Sequence, residues 1–151
     1  MNSTANVNEE KPWLRYYPEW TAHSLEYGGK TLGELYDDNL TANGNNVATR
    51  FFGRTQTFSE LDREVRRAAA GLKAFGVRPG DRVAIMLPNC PQHVAVFFAV
   101  QKIGAIAVEH NPLYTAHELR PQFVDHGARV AIVWDKAADT LETLRADTPL
   151  E

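Results

Sequence analysis

The sequence predicts an α/β domain: a parallel sheet with flanking helices, preceded by an antiparallel hairpin. Three short apolar runs, Val83–Leu87, Ala105–Glu109 and Val130–Trp134, have strand length and strand composition. The intervals between them have helical length and carry their own start and stop signals. Strands separated in this way pair in parallel through right-handed crossovers, because a two-residue turn cannot return the chain to the same direction.

The elements follow in order. Residues 2–31 are irregular and rich in aromatics, Trp13, Tyr16, Tyr17, Trp20 and Tyr27, with Pro12 and Pro18 among them. That is too aromatic for a disordered tail and predicts a segment lying across a larger surface. Thr31-x-x-Glu34 has the form of a capping box and opens a helix from Leu32 to about Leu40, ended by the Asn43-Gly44-Asn45-Asn46 cluster. Val47–Phe52 reads as a strand, Gly53-Arg54 as a tight turn and Thr55–Thr57 as the return. Thr57-x-x-Glu60 is a second capping box, and Leu61, Val65, Ala68, Leu72 and Phe75 form one helical face behind it, stopped by Gly76. After the strand from Val83, Pro91 starts a helix that runs to Ile103 and closes at Gly104. Asn111-Pro112 forces an extended turn, and Thr115-x-x-Glu118 opens a helix to His126, ended by Gly127. Beyond the last strand, Asp135 is expected to cap a helix from Lys136 to about Arg145. The chain divides into an aromatic segment with a short helix, residues 1–46, and an incomplete α/β subdomain, residues 47–151.

Incompleteness is suggested by two features. Val94–Val100 with Ile103 leaves the helix after Pro91 almost no polar face, which implies burial on more than one side. Val130–Trp134 has no following strand to pair with it.

Composition excludes several classes. An apolar share of 44% and a charged share of 23% over 151 residues are those of a soluble globular chain. The 16 basic residues are interspersed with 19 acidic ones, for a net charge of -3, so no basic stripe points to nucleic acid. Cys90 is the single cysteine and cannot form an internal disulfide. Met1–Glu10 has neither the basic nor the apolar region of a secretory leader, and no apolar run approaches the roughly 20 residues of a membrane span. A cytoplasmic protein is expected. The triplets Asn2-Ser3-Thr4 and Asn39-Leu40-Thr41 are read as chance sequons.

The search for chemistry returns no catalytic, cofactor-binding or metal-binding residue. Gly76-Val77-Arg78-Pro79-Gly80 follows a helix and precedes a strand, the reverse of a phosphate loop, and lacks its Lys-Ser/Thr pair. His23, His93, His110, His117 and His126 show no metal-ligand spacing. Cys90 has no ordered histidine beside it in sequence. One positional argument remains: ligands of open α/β sheets bind beyond the carboxyl ends of the strands, which singles out Asn89, Cys90, His110, Asn111 and Tyr114. Packing and turn roles are the competing reading of these residues.

Several segments taken together resemble the start of the adenylate-forming enzymes. Thr57-Phe58-Ser59-Glu60-Leu61 is similar to their first core motif, Thr-Tyr-x-Glu-Leu, with Phe58 in place of tyrosine. Ala69-Ala70-Gly71-Leu72, the run Gly76–Ala84 and Leu87-Pro88-Asn89 continue in register, and Gln101-Lys102-Ile103-Gly104-Ala105 resembles the second core motif, Leu-Lys-Ala-Gly-x. Asn89-Cys90-Pro91-Gln92, Asn111-Pro112-Leu113-Tyr114-Thr115, Glu118-Leu119 and the opening Pro12–Pro18 look like bacterial long-chain fatty acid CoA ligases. Glu109-His110 departs from them, since relatives often carry Pro-Leu or Val-Asn there.

The resemblance implies a two-step reaction in a complete enzyme. A fatty acid carboxylate attacks the α-phosphorus of ATP with Mg²⁺ assisting, and CoA then displaces AMP. This chain carries no segment like the Ser/Thr/Gly-rich phosphate loop, so no catalytic residue is carried over and the chain alone is expected to be inactive. Its expected partner is the remainder of its own polypeptide, with self-association when isolated and peripheral membrane contact left open. Two other readings stay open: a ligase for aromatic or medium-chain acids, and a free-standing, non-catalytic binding domain.

Overall fold

The computed structural model describes residues 11–26 and 28–151. Tyr27 and the Asn2-Ser3-Thr4 triplet lie outside the described residues. The chain separates into two compact units, Met1–Lys30 and Thr31–Glu151. In the first, Pro12–Tyr16 forms a 3₁₀ helix with proline in its first turn, and Tyr17 meets His23 edge to face at 6.4 Å.

The second unit carries the sheet. Helix α1 (Leu32–Asn43) starts at the Thr31/Glu34 capping box and runs one turn further than predicted. Its extra residues are held by side chains: Thr41 Oγ1 donates to the Asp37 carbonyl, and Asn43 Nδ2 donates to Asn39 Oδ1. The asparagine and threonine of the second sequon are therefore both engaged inside a helix.

Strands β1 (Val47–Phe51) and β2 (Arg54–Thr57) form the antiparallel hairpin. The turn is Phe52-Gly53 rather than Gly53-Arg54. Two residues with positive φ, 45° and 78°, give the backbone twist that a two-residue hairpin loop requires. Helix α2 (Phe58–Ala74) follows directly from its capping box, with Leu61, Val65, Ala69 and Leu72 buried. Phe75 is not on that face. It is 82% exposed, because it is the C-cap residue and the helical period has already ended there.

Strands β3 (Arg82–Met86), β4 (Ile106–Glu109) and β5 (Val130–Val133) form a parallel sheet in the order β4-β3-β5. Strand β3 is central, and its side chains alternate between two cores. Val83 and Ile85 pack with α2 and α3 (Pro91–Ile103); Ala84 and Met86 pack with α4 (Ala116–His126). The two crossover helices thus lie on opposite faces, as right-handed connections dictate when the chain reverses direction across a sheet. Gly104 and Gly127 close α3 and α4 in the left-handed conformation, with φ of 78° and 63°.

Two expectations need correction. The apolar helix α3 has its second cover within this chain: α2 and α1 pack on it, with Tyr36, Leu61, Val65 and Leu72 sharing a core with Ala95, Ala99, Val100 and Ile103. Its composition alone therefore does not require further protein. Asp135 caps no long helix. It lies inside a 3₁₀ turn, Asp135–Ala137, whose N-cap is Trp134 without a side-chain bond, followed by a short α5 (Ala138–Glu142). Leu144 and Leu150 beyond it are buried by turns, not by helix.

Among the described residues, no helix is long and apolar enough to cross a membrane. Among these residues strands β4 and β5 each pair only with β3.

Candidate functional site

The carboxyl ends of β3 and β4 are where a ligand of such a sheet would sit. The residues singled out there by position separate into two groups. Cys90 is the N-cap of α3, half-buried, and its side chain makes no capping bond. Asn89 is exposed beside it. Together with Phe97 and Phe98 of α3 and Thr49 and Phe51 of β1, they line an apolar groove of about 580 Å³. At its rim His93 Nε2 lies 2.9 Å from Glu109 Oε2, which ties the first turn of α3 to the end of β4.

His110 is elsewhere. It points into the β4–α4 junction, 7% exposed, with Nδ1 at 3.0 Å from Gln122 Oε1 and Nε2 at 3.1 Å from His126 Nε2. Burial lowers the pKa of both imidazoles below the ordinary value. Asn111 makes a local turn, accepting from the Leu113 amide at 3.0 Å, and Tyr114 packs against the α4 core. These two are turn and packing residues.

Neither histidine pair is visible in sequence, since each joins residues on different elements. A βαβ unit sets the first turn of its helix beside the end of the next strand, and this contact brings His93 to Glu109. The departure Glu109-His110 was the available signal: both residues have partners that an apolar pair would not need.

The glycine loop after α2 is no anion cradle. Its amides are already used: Gly76 N–H donates to Lys73 O, Val77 to Leu72 O, Arg78 to Asp81 Oδ2, Gly80 to Gly104 O and Asp81 to Arg78 O. An anion would find no donor there. Among the described residues no group of three or more His, Cys, Asp or Glu side chains is placed to hold a metal ion. The geometry therefore offers one wall of a site, apolar at its base and polar at one rim. Among the described residues it shows no nucleophile beside a base and no phosphate-binding loop.

Comparison with known proteins agrees with this incomplete character. The chain is 40% identical over 129 residues to a long-chain-fatty-acid–CoA ligase of Bacillus subtilis (strain 168), covering 85% of this chain and 23% of that protein. It is 42% identical over 100 residues to a feruloyl-CoA synthase of an Amycolatopsis species, covering 66% of this chain and 20% of the relative. The crystal structure of the N-terminal domain of FACL13 from Mycobacterium tuberculosis, with inhibitor bound, superposes with a TM-score of 0.74 at 28% identity, covering 80% of this chain and 31% of that one. The chain thus spans about a quarter or less of the length of these curated relatives. The AMP-binding enzyme family matches residues 36–151, from the middle of α1 through every strand described above, and the chain belongs to that family.

Proposed function

We propose that this chain is the amino-terminal part of an ATP-dependent, AMP-forming long-chain fatty acid CoA ligase. The observation that carries the reading is the similarity to the Bacillus subtilis ligase over 85% of this chain. In the complete enzyme ATP, Mg²⁺ and CoA would be held by residues outside this chain, which supplies scaffold and one wall of the ligand-facing end of the sheet. Its partner is then the rest of its own polypeptide. The cytoplasm is the expected location, with a fatty substrate bringing the enzyme to membrane surfaces.

The test is an assay of the complete gene product with ATP, Mg²⁺, CoA and a series of fatty acids. AMP release coupled to long-chain acyl-CoA formation is expected, with no turnover from the 151-residue chain alone. Turnover of the short chain would overturn the scaffold role. A second reading, a ligase for aromatic acids, is favoured by the similarity to the feruloyl-CoA synthase. The ratio of kcat/KM for palmitate and ferulate separates the two.

A further inference from the structure

We propose that His110 and His126 form a proton-operated latch that holds the end of α4 to the carboxyl end of β4 and releases it on acidification. The assignment rests on a chain of hydrogen bonds that leaves no choice of tautomer. The Ala128 amide donates to His126 Nδ1 at 3.0 Å, so in the neutral ring the proton sits on Nε2. That Nε2–H faces His110 Nε2 at 3.1 Å and must donate to it. His110 then carries its proton on Nδ1 and donates to Gln122 Oε1 at 3.0 Å. The Gln122 amide is oriented in turn by donating its Nε2–H to the Glu118 carbonyl at 2.9 Å. The four bonds run in one direction from Ala128 to Glu118. The His110 ring is also stacked on Phe123, with centroids 5.0 Å apart and planes 18° from parallel.

Every ring nitrogen of the pair is occupied. A proton added to His126 Nδ1 would oppose the Ala128 N–H, and one added to His110 Nε2 would oppose the His126 N–H. Either way two donors face each other and a bond must break. The surrounding charges do not remove this conflict. Glu109 on β4 favours a proton on His110 and Asp125 on α4 favours one on His126. Arg82 on β3 and a charged His110 oppose a proton on His126, and the Glu118 carboxylate is taken up by the Thr115 cap. Burial is the largest influence on both rings and holds both below the ordinary imidazole range. A histidine with a depressed folded pKa stabilises the fold fully above its unfolded value of about 6.5, and that stability is lost as pH falls through the folded value. A metal ion does not fit between the rings, because the nitrogen it would need on His126 is the one that Ala128 obliges to carry a proton.

The latch bridges β4, α4 and the Gly127 cap, so its release loosens the connection 111–115 at the end of the sheet where a ligand would approach. Hydrogen-exchange mass spectrometry of the full chain at about pH 7.5 and about pH 5, corrected for intrinsic exchange, reads it directly. Protection across residues 110–128 is expected to fall by about tenfold or more in the native protein. Each single variant, His110→Leu or His126→Gln, leaves one titrating ring and should show a smaller loss, and the double variant should show none. Protection independent of pH in the native protein, or the same loss in the double variant, overturns the proposal. Ring-nitrogen NMR of the native protein gives a test that needs no variant. Nδ1–H on His110 and Nε2–H on His126 are expected near pH 7.5, and the opposite tautomers or a charged ring would sink the latch.

Discussion

The ring of Tyr36 lies 4.4 Å from that of Phe98, centroid to centroid, at 30°, and this contact fixes α1 against α3. Tyr36 is 4% exposed, and its hydroxyl has no hydrogen-bond partner among the described residues. Burial, with Asp62 and Asp37 nearby, pushes the phenol up to about 12.

Tyr36→Ala should destabilise the fold by about 3–5 kcal/mol, since it removes a buried ring that the helices cannot close over. Tyr36→Phe keeps the ring and deletes an unsatisfied polar group, so it should be neutral or slightly stabilising. Urea unfolding midpoints separate these outcomes. The folded phenol binds its proton more tightly than the unfolded one, so stability falls as pH rises from about 10 towards 12. Tyr36→Phe should abolish that alkaline loss.

At the hairpin tip, Phe52 holds a φ of 45° with its side chain 92% exposed. A bulky residue gains nothing there that offsets the left-handed strain. Phe52→Asn creates the Asn-Gly pair that such turns favour, and should raise stability by about 0.5–1 kcal/mol. A lower thermal midpoint in calorimetry would show that the ring, which meets Phe51 edge to face, matters more than the strain.

The Thr57/Glu60 box makes a prediction about acid. The Thr57 backbone amide, and then its hydroxyl, hold the Glu60 carboxyl below its usual value. Its folded pKa is depressed, so its contribution is present above about 4.5 and is lost as pH falls through the folded value. Carboxyl NMR should show Glu60 titrating low in the native protein and closer to normal in Thr57→Ala. That variant should also lose about 1 kcal/mol of stability. An unchanged Glu60 titration in Thr57→Ala would assign the shift to the backbone amide alone.

Among the described residues, strands β4 and β5 each leave one edge without a strand partner, and Phe52 and Phe75 add exposed aromatic surface. We expect the isolated chain to self-associate through these features. Sedimentation coefficients should rise with concentration, and Phe75→Ser should weaken the rise. A monomer across a wide concentration range would contradict this.

The elements best read from sequence are those whose ends carry a backbone requirement. Pro91 and Gly104 bound α3 at the predicted residues, because proline's fixed φ and missing N–H suit the first turn and Gly104 adopts the left-handed conformation that ends it. All three capping boxes formed, since each needs only residues three apart. Readings failed where periodicity was carried past an end, as at Phe75, or where one polar residue was taken for a cap, as at Asp135. At the candidate site, the rule that ligands meet the carboxyl ends of strands singled out Asn89 and Cys90, and both line the groove. The pairings of His93 with Glu109 and of His110 with His126 depend on inter-element distances that no local pattern encodes.

The central position of β3 has a consequence for how the chain is made. Its first neighbour, β4, arrives after a single helix, but its second, paired Val83 to Val130, comes only after two. During synthesis β3 must wait with one bare edge until residues 130–133 have left the ribosome. A slowed codon or a truncation between β4 and β5 would leave an apolar strand open to other nascent chains, so this interval is where a chaperone would be needed most.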